Sequence, residues 1–272
     1  MEGRTALEIS EFSPFMGSEE TAIMSNVELL WLPPKSQGRL AGTDAHIWAA
    51  SLKQPVERIS SLEPLLSPDE RSRAQHFKFE TDRNRFITGR GLLRTILSSY
   101  AQVDPAQLRF TYSKRGKPTL ERRPGHEPLH FNVAHSKNLI LIAVTKACAV
   151  GVDVEWIHPM NDAEDIAARF FSPREAAKLM ALTNEQRIPA FFNLWTRKEA
   201  WLKATGDGLS EMLKEVEVSF LPDEPARVLA ISGNKKAAER WTLLGLTPAS
   251  EFTAAIAAEA RDLQFSCWQW PL

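Results

Sequence analysis

The chain has 272 residues, 43% of them hydrophobic and 25% charged, enough for one large domain or two modest ones with a sizeable core. Its 33 Lys and Arg oppose 34 Asp and Glu; the net charge of −1 excludes a general attraction to nucleic acid or an anionic membrane, so any basic site must be local. The only cysteines, Cys148 and Cys267, sit in apolar contexts, which excludes a disulfide framework or a thiolate metal site and points to a reducing compartment, the cytoplasm.

Residues 1–25 are polar and weakly patterned and lack the basic flank and apolar core of a secretory signal. They are expected to form a disordered leader, or to precede a true start at Met24. No apolar run reaches the ~18 residues a membrane span needs. A first strand is expected at His46–Leu52, and Ser67-Pro68-Asp69-Glu70 opens a helix, with Ser at the N-cap, Pro at the first helical position and Glu three residues after the cap. A second helix follows over Thr81–Tyr100. Strands at Phe131–Val133, Leu139–Thr145 and Val150–Trp156 are short and rich in Val, Ile and aromatics. Ser172-Pro173-Arg174-Glu175 repeats the helix opening. A long helix then runs from a cap at Asn184, with Pro189 near its first turn, to Thr205-Gly206, and strands at Val216–Phe220, Trp241–Leu246 and Thr253–Glu259 close the chain.

The twin Ser-Pro-x-Glu openings, with FITGRGLLR at 86–94 and LWTRKEAWL at 194–202 placing Thr ahead of a basic residue at matching offsets, hint at a duplication. The chain then divides near residue 148 into two α+β halves, 26–148 and 149–272, whose interface makes a natural cleft.

Strand period sets Asp153 and Glu155 of VGVDVEW on one face, opposite Val150, Val152 and Val154. Such a pair repels unless a cation or proton intervenes, and hard oxygen ligands suit Mg2+. On its own the pair fits an exposed strand edge better. Glu199 in the following helix, with Lys203 one turn on, supplies a third carboxylate and an ammonium that binds phosphate or moves a proton; a surface ion pair is the plainer alternative. Arg73, Arg83, Arg85, Arg90 and Arg94, the basic turn Arg115–Pro118 and His135 are the anion-binding candidates.

Taken together, GKP at 116–118, FNVAHS at 131–136, GVDVE at 151–155, RFFSPRE at 169–175 and WTRKEAWLKATGDGL at 195–209 resemble the 4′-phosphopantetheinyl transferases of the surfactin-synthetase type. The likeness runs over residues 46–259 and is strongest to the cyanobacterial heterocyst-glycolipid type. The resemblance implies a pseudo-dimeric α+β monomer of two similar halves with the active site between them. It also implies Mg2+-dependent (or Mn2+-dependent) transfer of the phosphopantetheine arm of coenzyme A to a serine of an acyl or peptidyl carrier protein, releasing adenosine 3′,5′-bisphosphate. By the same resemblance Asp153, Glu155 and Glu199 match metal ligands, and Lys203 matches the lysine at the pyrophosphate. Arg73, Arg85 and His135 match contacts to the 3′-phosphate, and Gly116, Lys117 and Pro118 match the turn at the adenine end. Ser136 and Lys198 are counted with the coenzyme A contacts, and Trp195 and Lys198 also match structural members of the same motif. Two positions depart from the pattern: Ala134 stands where many relatives have Ser, leaving Ser136 or backbone amides to compensate, and Glu70 stands where some carry a lysine. A carrier-binding module without catalysis and a Mg2+-dependent phosphohydrolase are the competing readings.

Overall fold

The computed structural model describes residues 30–33, 40–122, 127–206, 210–222 and 224–271. The expected leader at 1–25 and the Asp207–Leu209 end of the long motif lie outside them. After a two-residue strand β1 (Trp31–Leu32), the first half consists of β2 (Asp44–Ser51), helices α1 (Val56–Leu62), α2 (Pro68–Gln75) and α3 (Glu80–Ala101), a hairpin of β3 (Phe110–Tyr112) and β4 (Pro118–Leu120), then β5 (His130–Ser136) and β6 (Leu139–Thr145). The second half repeats that plan. It has β7 (Val150–Trp156), helices α4 (Ala163–Phe170), α5 (Pro173–Met180) and α6 (Asn184–Thr205), a hairpin of β8 (Val216–Val218) and β9 (Val228–Ile231), a short α7 (Lys235–Ala238), then β10 (Thr242–Leu246) and β11 (Phe252–Ala258).

Strand pairing repeats as well. The first half sets its opening strand beside its last, in the antiparallel order β2-β6-β5, and the second half does the same with β7-β11-β10. The final strand, β12 (Gln264–Gln269), breaks the symmetry, because it returns to lie parallel between β1 and β2. Residues expected in the second half therefore complete the sheet of the first.

Burial explains the layering. β6 reads LILIAVT and is buried along its whole length, as a strand covered on both faces must be. One face meets Leu92, Leu93, Ile96 and Leu97 of α3 through Ile140, Ile142 and Val144. Its other face, with Leu141 and Ala143, joins Ala45, Ile47 and Ala49 of β2 against Val152, Val154 and Ile256 of the second sheet. The two sheets thus pack inner face to inner face, with α3 outside one and α6 outside the other.

Both Ser-Pro-x-Glu openings are capping boxes, at α2 and α5. In each, the buried glutamate also receives a buried cation from the 22-residue helix of its half. Glu70 accepts from Arg94 Nε at 2.6 Å and from Arg90, whereas Glu175 pairs with Lys198 at 2.6 Å and accepts from the Val218 amide. The long second helix starts one residue earlier than expected, with Thr183 at its N-cap, and Pro189 falls in its second turn. Packing of Phe191, Phe192 and Leu194 holds it helical through the proline.

Candidate active site

Gly151 fixes the site's frame. A β-carbon there would overlap the Ala200 carbonyl oxygen and the Ala204 amide nitrogen, so α6 lies directly on the backbone of β7. With Val150, Val152 and Val154 buried between the sheets, the alternate face carries Asp153 and Glu155 toward α6, where Glu199 and Lys203 sit one turn apart. Lys203 Nζ donates to Asp153 Oδ1 at 2.6 Å. Asp153 Oδ2 is buried and has no hydrogen-bond partner.

Three acids against one lysine leave the cluster short of positive charge. The Asp153 carboxyl is pushed up to about 7: burial raises it, Lys203 pulls it down, and Glu155 and Glu199 raise it again. Burial also raises Glu199, with Lys203 opposing and Glu155 reinforcing the shift. An extra cation is what such a cluster lacks. Among the described residues, no three acidic, histidine or cysteine side chains are already gathered tightly enough to hold one.

The neighbouring strand supplies the rest of the frame. β5 and β7 run side by side without a backbone ladder, since β5 pairs with β6 and β7 with β11. Two β5 side chains bridge the gap in its place. Asn132 Oδ1 accepts from the Val152 amide at 2.9 Å, and four residues on, Ser136 Oγ accepts from the Trp156 amide at 3.1 Å while donating to Glu155 Oε2 at 2.9 Å. Sequence reasoning passed over Asn132, although a polar residue between Phe131 and Val133 in a buried strand signals a required hydrogen bond. Ser136, expected at coenzyme A, has its hydroxyl engaged with Glu155.

Of the remaining candidates, Lys117 follows Gly116, whose φ of +80° turns the hairpin, and precedes Pro118 at the start of β4; its ammonium reaches the Lys203 carbonyl at the C-terminal end of α6. His135 is exposed near the end of β5. Arg85 donates to Asn138 Oδ1 in the β5–β6 turn at 2.9 Å, which holds it near the His135 end of the strand. Arg73 lies over the Phe86 ring, 5.3 Å from its centroid. Neither arginine touches the carboxylates.

Other candidate cations are engaged within the fold. Lys198 is fully buried, and its ammonium is held by Glu175 and by the Leu213 and Val216 carbonyls, which fits its structural reading and leaves no free donor for coenzyme A. Arg90 and Arg94 are engaged by Glu70, as the plainer reading of these arginines has it. The Glu70 carboxylate, at the position where some relatives carry a lysine, is occupied by the capping box and the two arginines. Trp195 packs as expected, stacked on Phe191 and edge-on to Phe170 and Phe171.

Residues 149–257 match the family model described as the 4′-phosphopantetheinyl transferase superfamily, and residues 48–147 match that of the 4′-phosphopantetheinyl transferase N-terminal region. The chain is 41% identical over 240 residues to the 4′-phosphopantetheinyl transferase HetI of Nostoc sp., covering 88% of this chain and 98% of that protein. To the 4′-phosphopantetheinyl transferase Sfp of Bacillus subtilis it is 32% identical over 158 residues, 58% of this chain and 68% of the relative. To the 4′-phosphopantetheinyl transferase AcpT of Salmonella typhimurium it is 34% identical over 124 residues, 46% and 59% of the two chains.

Proposed function

Since the chain belongs to the 4′-phosphopantetheinyl transferase superfamily and is an enzyme of that kind, we propose that it moves the phosphopantetheine arm of coenzyme A onto a serine of an acyl or peptidyl carrier protein and releases adenosine 3′,5′-bisphosphate. The observation that carries this reading is the gathering of Asp153, Glu155 and Glu199 around Lys203, with a buried oxygen of Asp153 left unpartnered. Asp153, Glu155 and Glu199 would hold Mg2+, whose chemistry is to neutralise charge on pyrophosphate oxygens. The orphaned oxygen and the surplus of carboxylates fit a divalent cation.

In the reaction the serine oxygen forms a bond to the β-phosphorus of coenzyme A. The bond from that phosphorus to the bridging oxygen breaks, and the electron pair leaves with adenosine 3′,5′-bisphosphate. The serine proton goes to Glu199, whose raised basicity suits a general base. Lys203 stabilises the oxygens of the departing phosphate, and Asp153 keeps its ammonium aimed at them. Ser136 holds Glu155 in place. Arg73, Arg85 and His135 receive the 3′-phosphate, and the Gly116–Pro118 turn receives the adenine end.

The test is to incubate the protein with coenzyme A, Mg2+ and an apo carrier protein and to weigh the carrier. A gain of the phosphopantetheine mass, lost on chelation and in Glu199→Gln, supports the reading. Carriers of the fatty-acid, polyketide and peptide types that all stay unmodified would overturn it.

A further inference from the structure

The β3–β4 hairpin splits the space between α3 and α6. It touches both helices: the Tyr112 hydroxyl accepts from Arg90 of α3 at 3.1 Å, and Lys117 reaches the last turn of α6. The carboxylates, Arg85 and His135 are not among the residues that line the hollow beside it. This hollow of about 820 Å³ lies toward the C-terminal ends of both helices, between Tyr100 and Val103, Ala204 and Thr205, and the opening residues of β5 and β7. Only Lys117 and Pro118 are common to this hollow and to the set expected around coenzyme A. Its size lies within the range of small-molecule sites, about 300–1,000 Å³.

The lining has two characters. Arg109, Lys117, Arg122, His130 and Lys146 supply positive charge, against Glu121 and Glu127. Lys146 pairs with Glu127 at 2.8 Å, while Arg109, Lys117 and Arg122 have no carboxylate partner among the described residues. Arg122 and Lys117 act on His130: burial lowers its pKa, and the charges of these two lower it further. A bound anion would offset those charges.

Leu108, Leu120, Leu129, Phe131 and Val150 make the other wall apolar. The hydroxyls nearby are already engaged. Thr111 and Thr119 bond to each other at 2.7 Å, and Tyr100 is held by His46 and Trp48 at 2.8 Å each. An alkyl chain laid along that wall leaves no polar atom unsatisfied. A planar guanidinium fork suits a carboxylate head.

We propose that this hollow binds an alkyl carboxylate, with its head at Arg109, Arg122 and Lys117 and its chain along Leu108, Phe131 and Val150. The occupant lies one hydrogen bond from Lys203, through the Lys117 ammonium. Dodecanoate is a suitable probe, titrated calorimetrically into the full chain beside acetate and inorganic phosphate, which carry only a charge, and dodecanol, which carries only the chain. Dodecanoate is expected to bind far more tightly than all three, and Arg109→Ala with Arg122→Ala to weaken it by about tenfold or more. Retained far-ultraviolet dichroism and retained coenzyme A affinity in the double variant separate this loss from misfolding. Absent dodecanoate binding, equal binding of acetate, or unchanged affinity in the double variant would overturn the proposal. So would displacement by coenzyme A together with a raised KM for coenzyme A in the double variant, which would make the hollow part of the substrate site.

Discussion

The two halves share a scaffold and differ in where they leave charge unbalanced. In both, a Ser-Pro-x-Glu box opens a helix, its glutamate is buried, and the following 22-residue helix returns a cation to it: Arg94 with Arg90 in one, Lys198 in the other. Only the second half continues with Glu199 and Lys203 beside a strand bearing Asp153 and Glu155. Whether the helices are matched by their first residues or by Thr88 and Thr196, the first half offers Thr95 or Gly91 for Glu199, and Ser99 or Thr95 for Lys203. Charge that recurs in both halves is closed on itself and serves the fold. Charge that occurs once remains open to a ligand.

The largest expected effect tests the recurring charge. Lys198→Met should cost about 3–5 kcal/mol in a urea titration, because it strands the buried Glu175 carboxylate. Arg94→Met should cost less, since Arg90 still faces Glu70. A Lys198→Met protein of unchanged stability but weakened coenzyme A binding would erase the distinction between the halves. The unpaired charge is tested next. Glu199→Gln should reduce kcat by roughly 10²- to 10⁴-fold with little change in melting temperature. Thr95→Ala at the corresponding turn of α3 should leave turnover as it is.

The seam between the halves sharpens the comparison further. Asn132→Ala strips the Val152 amide of its partner and should cost about 1–3 kcal/mol of stability. Ser136→Ala removes a partner from the Trp156 amide too, but it also frees Glu155, so beyond its loss of stability it should lower kcat by about tenfold and shift the Mg2+ concentration that half-saturates the reaction. If Ser136→Ala changes only the KM for coenzyme A, its hydroxyl faces the substrate and not Glu155.

Local signals made much of the scaffold legible in the sequence. Leu139–Thr145 and Val150–Trp156 form strands over the residues expected, because continuous apolar runs bounded by turns leave few alternatives. The capping boxes fixed two helix starts. The sequence concealed whatever depends on distant partners. Strand β12 is an ordinary amphipathic stretch until β2 is beside it, and the β3–β4 hairpin carries few strand formers beyond Phe110 and Tyr112. Period and spacing put the carboxylates on one strand face and Lys203 one turn from Glu199, and the family resemblance assigned them to the site. That Lys198 pairs with Glu175 could not be read from the sequence, because helix spacing alone does not tell which face meets Glu175.

The smallest effect, and the one that separates the halves by sign, is in the pH dependence of stability. At Glu70, burial pushes the pKa up, but Arg94 and Arg90 more than offset it and leave it below the usual value, so that stability is lost as pH falls. Asp153 is the reverse. Its folded value of about 7 lies above the ordinary value for an unfolded chain, so its contribution is fully present in acid and is lost as pH rises through about 7. Without metal, stability should therefore fall in strong acid through Glu70 and also as pH rises from the ordinary carboxylate range to about 7 through Asp153, levelling above that. Asp153→Asn should flatten this second limb alone, raising the melting temperature at pH 8 by about 2–4 °C for each kcal/mol recovered, while transfer is lost. Mg2+ should stabilise the native protein more at pH 8 than at pH 6, because only the ionised cluster needs it. A decline toward pH 7 that survives in Asp153→Asn, or Mg2+ stabilisation that does not depend on pH, would place the open charge somewhere other than this strand.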